Sequence, residues 1–177
     1  PRATRLGQPQ RRRAAQGDES HLRPAMYTAF EELERFGRIY TGGRVHVTHD
    51  GAYVVCMCGD ELKVLDVATG KVVLTVPSEA DEFTAFALHP QRHELVGAAR
   101  NRQLRHWRLA PAEGTSEVLH LWKAHKLPVS DLAYDSTGTL AASGSADSSV
   151  MVFDVAKAYC THVFKGHTGV VHRVLFH

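Results

Sequence analysis

The chain has 177 residues, 44% apolar and 23% charged, an ordinary globular composition that excludes a wholly disordered chain, a collagen-like repeat and a coiled-coil rod. It has no run of about 18 apolar residues fit to span a membrane as a helix, and its basic first 24 residues lack the apolar stretch of a secretory signal. The net charge of +2 divides unevenly: six Arg against Asp18 and Glu19 in residues 1–24 leave the remainder slightly acidic, which excludes a basic nucleic-acid platform across the body of the chain.

Residues 1–25 read as a disordered basic tail, rich in Arg, Gln, Ala and Pro with few large apolar side chains. Arg11-Arg12-Arg13 has the make-up of a nuclear-import or RNA-contacting cluster, and a solvated tail is the plainer reading. In residues 26–42, Met26, Phe30, Leu33 and Phe36 can share a helical face. The alternative, an extended stretch over Glu34–Tyr40 that closes a propeller by completing its last blade, is preferred here. The chain begins at Pro1 and stops at His177 inside an alternating apolar segment, so it is expected to be a piece of a longer protein.

From residue 43 short apolar runs alternate with turn signals. Gly43–His49 is followed by Asp50-Gly51, Tyr53–Cys58 by Gly59-Asp60, Leu62–Val67 by residues 68–70, and Lys71–Val76 by Pro77. This is the grammar of strands and hairpins. No later segment has a helical period of 10–15 residues, which argues against βαβ units and a dinucleotide or P-loop fold. Cys56 and Cys58 would face one side of a strand and pack there. Three Cys with no C-x-x-C pair fit a reducing compartment.

The strands recur as units. Leu65-Asp66, Trp107-Arg108 and Phe153-Asp154 end successive runs, their first residues 42 and 46 apart. Ala124-His125 and Gly166-His167 stand 42 apart, and the turn residues Gly59, Asn101 and Asp147 each lie six positions before a mark. A period of roughly 40–45 with four strands per unit predicts propeller blades.

The third unit runs from His125 through Leu132–Asp135, Thr139–Asp147 and Val150–Asp154, and over its whole length it resembles a WD40 repeat. The second unit is recognisable and the first degenerate. The expected fold is therefore all-β: a partial WD40 β-propeller of three four-stranded blades plus the first strand of a fourth. The blades are expected at about 43–80, 81–124 and 125–167, with the next starting at 168–177. The third strand of a blade should be apolar on both faces, as Val150-Met151-Val152-Phe153 is. Three blades alone would expose apolar faces at both ends of the arc and favour aggregation.

The resemblance implies a polar network in each well-formed blade. Here His125, Ser143 and Asp147 match it, while Phe153 replaces the Trp whose N–H would complete it. The second blade keeps Trp107 but has Asn101 in place of Asp. A hydrolase built on Ser143, His125 and Asp147 is the competing reading. No G-x-S-x-G occurs and Ser143 lies inside an apolar strand, so the structural role is expected. The 12 His include no H-E-x-x-H and are expected at turns and on the surface, with no metal ligand set and no cofactor. Trp107 and Trp122 are expected in the core.

A narrower likeness rests on His120–His125, Leu127–Val129 and Asp135–Ala141, with Tyr40–Gly43, Cys56–Gly59, Tyr159–Gly166 and Gly169–His172 in support. These runs look like the transducin-beta-like WD-repeat family of the small-subunit processome. That resemblance implies a non-enzymatic nucleolar scaffold, the first part of the first of two tandem propellers. Its partners would be other WD-repeat subunits, with pre-rRNA and U3 small nucleolar RNA met largely indirectly, and neither a membrane nor a small-molecule substrate. The work implied is early pre-rRNA cleavage and 18S rRNA maturation. A signalling or ubiquitin-ligase adaptor is the alternative; its W-D-x-R dock would fall on Phe153-Asp154-Val155-Ala156, which has no Arg. An enzyme on a propeller scaffold is the third class.

Overall fold

β-Branched and aromatic side chains in period-two alternation fit a half-buried pleated surface, and the runs from residue 43 onward fold accordingly. The computed structural model describes residues 38–79 and 81–177. Its first sheet holds β1 (Val45–Val47), β2 (Tyr53–Cys58), β3 (Glu61–Asp66) and β4 (Val72–Pro77). The second holds β5 (Phe83–Leu88), β6 (Glu94–Ala99), β7 (Gln103–Ala110) and β8 (Thr115–Lys123). The third holds β9 (Val129–Tyr134), β10 (Leu140–Ser145), β11 (Ser149–Asp154) and β12 (Tyr159–Lys165). Each is a four-stranded antiparallel meander in chain order. The fold is thus an open, partial propeller. The tail of residues 1–25 and most of the expected closing segment, residues 26–37, lie outside the described residues.

The repeat extends to an irregularity that the sequence conceals. In every sheet the pairing of third and fourth strands slips by one residue next to the mark: at Val64/Leu65, His106/Trp107 and Val152/Phe153. Val73, Leu119 and Thr161 are the residues left without a partner. Such a bulge bends the strand and increases its right-handed twist.

Adjacent sheets pack face to face through two cores. Val55, Leu62, Val64, Leu74 and Val76 of the first sheet meet Phe83, Phe86, Leu95, Trp107 and Leu109 of the second. Ala85, Ala87, Val96, Ala98 and Leu104 on the second sheet meet Val129, Leu132, Ala141, Phe153 and Val155 of the third. Burying each large side chain stabilises the fold by roughly 1.5–3 kcal/mol. The middle sheet is covered on both sides, so β6 is buried along its whole length. Gly97 on β6 is needed there: a Cβ would stand 2.8 Å from Phe83 and 2.9 Å from Trp107.

The first strand of each sheet lies on the inside of the arc, where β5 runs beside both β1 and β9. Residues 169–177 extend past β9 without pairing as a strand. The Val171 N–H donates to the Ser145 carbonyl, and the Ser130 hydroxyl donates to the Val171 carbonyl. Residues 38–41 stay with the first sheet: Thr41 N–H donates to the Met57 carbonyl, and the Cys56 and Cys58 thiols point to the carbonyls of Ile39 and Arg38. Both thiols are free and buried.

Candidate functional site

A strand feeding into each blade must be fixed to that blade, or the sheet splays at its inner edge. In the third blade a histidine does this. His125 lies in the loop between β8 and β9, and its ring is wholly buried. Its Nε2 is 2.7 Å from the Ser143 hydroxyl on β10, and its Nδ1 is 3.1 Å from the Asp147 carboxylate in the β10–β11 turn. The Nδ1–H tautomer satisfies both contacts, donating to Asp147 and accepting from Ser143. Asp147 also accepts from the Lys126 N–H at 2.9 Å, the Ser149 N–H at 3.1 Å and the Ser149 hydroxyl at 2.6 Å. Burial alone would raise the Asp147 pKa. The Ser149 hydroxyl, the Lys126 N–H, the His125 ring and the Ser149 N–H outweigh it and bring it down to about 2.

Ser, His and Asp are here connected as they are in a hydrolase triad. Chemistry on an external carbonyl, however, needs a reachable nucleophile. Ser143 is 0% exposed and sits mid-strand, paired to Leu132 on one side and Met151 on the other. The arrangement orders a loop. Phe153 is buried beside it and packs on Trp122 with ring centroids 5.8 Å apart, an apolar contact where an indole would have donated a hydrogen bond.

The other blades solve the same problem with different residues. In the second blade, Trp107 is buried against Phe83 at 5.7 Å. Asn101 stays local, its side-chain oxygen accepting from the Gln103 N–H. Arg105 on β7 ties down the lead-in loop, donating to the Ser78 carbonyl at 2.5 Å and the Glu79 carboxylate at 3.0 Å. In the first blade the Thr41 hydroxyl accepts from the Gly59 N–H at 2.8 Å. Asp66 and Asp154 cap the turns into the fourth strands, Asp66 accepting from the N–H groups of Ala68 and Thr69 and Asp154 from that of Lys157. Gly166 and His167 are exposed at the far end of the third blade.

One polar cluster joins blades to one another, and a second lies within the middle blade. Arg44, just before β1, reaches across the inner face to Asp131 of β9 at 2.7 Å. The same Asp131 oxygen accepts from the Val174 N–H at 2.8 Å. Asp131 is buried, so its charge is met by both a cation and a backbone donor. Beside it lies a cleft of about 400 Å³ lined in part by Arg44, His46 and Tyr134. Burial, reinforced by the Arg44 charge and opposed by Asp131, lowers the His46 pKa. On the second sheet His106 stands 3.2 Å from Glu94, both buried. Burial outweighs the attraction of Glu94 and lowers the His106 pKa; burial likewise lowers that of His89. The expectation that the histidines sit at turns and on the surface is corrected for His89 and His106, which are core residues.

Sequence reasoning named His125, Ser143 and Asp147, which the fold brings together, but missed Ser149, Arg105, Thr41 and the Arg44–Asp131 pair. The Ser149 signal was present, as a hydroxyl two residues after a turn Asp. The others depend on which loop crosses which strand.

The family model of the WD domain, G-beta repeat, matches residues 116–154. The chain is 41% identical over 155 residues to transducin beta-like protein 3 of Rattus norvegicus, covering 86% of this chain and 18% of the relative. It is 31% identical over 144 residues to U3 small nucleolar RNA-associated protein 13 of Saccharomyces cerevisiae, covering 78% of this chain and 17% of that protein. The chain therefore spans under a fifth of the length of these curated relatives. Among solved structures, that of U3-55K superposes with a TM-score of 0.64 at 20% identity, over 71% of this chain and 39% of that one, a likeness of fold.

Proposed function

Because the chain belongs to the WD40-repeat family, we propose that it acts as a non-enzymatic scaffold of the nucleolar small-subunit processome, supporting early pre-rRNA processing and 18S rRNA maturation. The observation that carries this reading is the extent of similarity to transducin beta-like protein 3, which covers 86% of the chain and so runs far beyond the single repeat matched at residues 116–154. The name of the yeast relative ties that protein to U3 small nucleolar RNA.

The geometry supports a scaffold. The side chains with triad connectivity fix the loop that leads into the third blade, and the ion pair of Arg44 with the buried Asp131 joins blades. What the fold then offers to partners is its loops and rims. The body of the chain carries no excess of positive charge for a phosphate backbone. Its partners are accordingly other WD-repeat subunits of the particle, with pre-rRNA and U3 RNA held mostly through them, in the nucleus and nucleolus.

The test is depletion of the native protein followed by hybridisation of pre-rRNA with probes to the 5′ spacer and the 18S precursor. Uncleaved precursor is expected to accumulate as 18S rRNA falls; unchanged precursors would overturn the assignment. Neutralising Arg11, Arg12 and Arg13 should leave co-purification with the other WD-repeat subunits intact.

A further inference from the structure

His49 and Asp50 occupy the turn between β1 and β2; His93 lies in the turn between β5 and β6 of the next sheet. Forty-odd residues separate them in sequence, but the fold places one ligand atom of each within 4.8 Å of the others. We propose that His49, Asp50 and His93 form a binding site for a divalent transition-metal ion, of which Zn²⁺ is the probe, bridging the first and second blades.

Asp50 is already oriented for this. Its Oδ1 is occupied by the Thr48 hydroxyl at 2.6 Å and the Ala52 N–H at 3.1 Å. That leaves Oδ2 to face His93 Nε2 at 3.3 Å. Two ligands each about 2.1 Å from one tetrahedral ion stand about 3.4 Å apart, so this pair has chelating separation before any ion arrives. His93 is fixed at its backbone, where its carbonyl accepts from the Leu109 N–H at 2.7 Å, and at its ring by the edge of Tyr53 at 5.8 Å. The His49 ring is exposed and lies 4.9 Å from that of His93.

The donor set is two imidazoles and one carboxylate, with water to complete the sphere. Imidazole suits Zn²⁺, Ni²⁺ and Cu²⁺, whereas all-oxygen sites suit Mg²⁺ and Ca²⁺. The held Oδ1 serves as the outer support that orients a metal-binding carboxylate. Since the ligands come from two blades, bound metal would also resist their separation.

Zn²⁺ titrated calorimetrically into the full 177-residue chain tests this, with thermal melting in parallel. One saturable equivalent and a raised Tm are expected. His93→Gln and Asp50→Asn should each weaken that binding by more than about tenfold. Asp50→Asn retains the Oδ1 acceptor and so preserves the turn. His172→Gln, outside the site, should change neither readout. Absence of a saturable equivalent in the parent chain, or its survival in both site variants, would overturn the proposal.

Discussion

Replacing Asp147 by Ala removes the acceptor that joins the lead-in loop of the third blade to its β10–β11 turn. Four donors lose it at once: His125 Nδ1, the N–H groups of Lys126 and Ser149, and the Ser149 hydroxyl. A net hydrogen bond to a charged group is worth about 1.5–3 kcal/mol, and stranding a buried donor costs about 1–3. The four bonds share one anion and do not add. Ser149 Oγ remains 3.2 Å from the His125 Nδ1 and softens its loss. The expected cost is about 3 kcal/mol. The lowered pKa expresses the same contacts as a proton equilibrium. The folded carboxyl lies at about 2 against an ordinary 3.8, which corresponds to about 2 kcal/mol before allowance for the solvent it still touches, and so to about 1–2. The folded pKa is the lower one, so this contribution is complete above pH 3.8 and lost as pH falls to about 2. Urea unfolding at pH 7 and hydrogen exchange at the Lys126 and Ser149 amides read both effects. The His125→Ala/Asp147→Ala double variant should cost little more than the worse single one. A loss under about 1 kcal/mol with unchanged Lys126 protection would refute the reasoning.

Three further outcomes are expected. Gly97→Val drives a branched side chain into Phe83 and Trp107 and should cost at least about 1–3 kcal/mol, read from the urea midpoint; no change would mean that the aromatic pair moves aside freely. Asp131→Ala strands the Val174 N–H and releases Arg44, so Val174 should lose exchange protection while the amides of β6 keep theirs. His46, His89 and His106 have pKa values lowered by burial, so stability should be full above pH 6.5 and fall as acid forces those rings to charge; a urea midpoint unchanged between pH 7.5 and pH 5.5 would contradict this.

The strands were legible because alternation and turn residues are local signals, and the three marks at Leu65, Trp107 and Phe153 carry the blade period on their own. The His125 network was legible only through the repeat, since its members are 18 and 22 residues apart and no local rule joins them. The Arg44–Asp131 pair spans 87 residues and has no sequence signature. Arg105 misleads in a different way: an Arg in a buried third strand reads as a misplaced surface residue until the lead-in loop supplies its acceptors. His106 was misplaced for a similar reason. An imidazole is tolerated inside when a neighbour bonds one nitrogen, and that neighbour, Glu94, comes from another strand.

The recurrent slip beside the marks divides each outer strand into two halves of opposite phase. On β8, Val118 lies opposite Trp107 while His120, only two residues on, lies opposite His106, and so takes the other face. Trp122 follows His120 and turns toward Phe153 of the neighbouring sheet. Counting odd and even positions straight through Leu119 would place half the strand wrongly. Deleting Leu119 would bring the two halves into step and turn one of them over. Parity, held by one unpaired residue, decides which side chains of the outer strand the next blade receives.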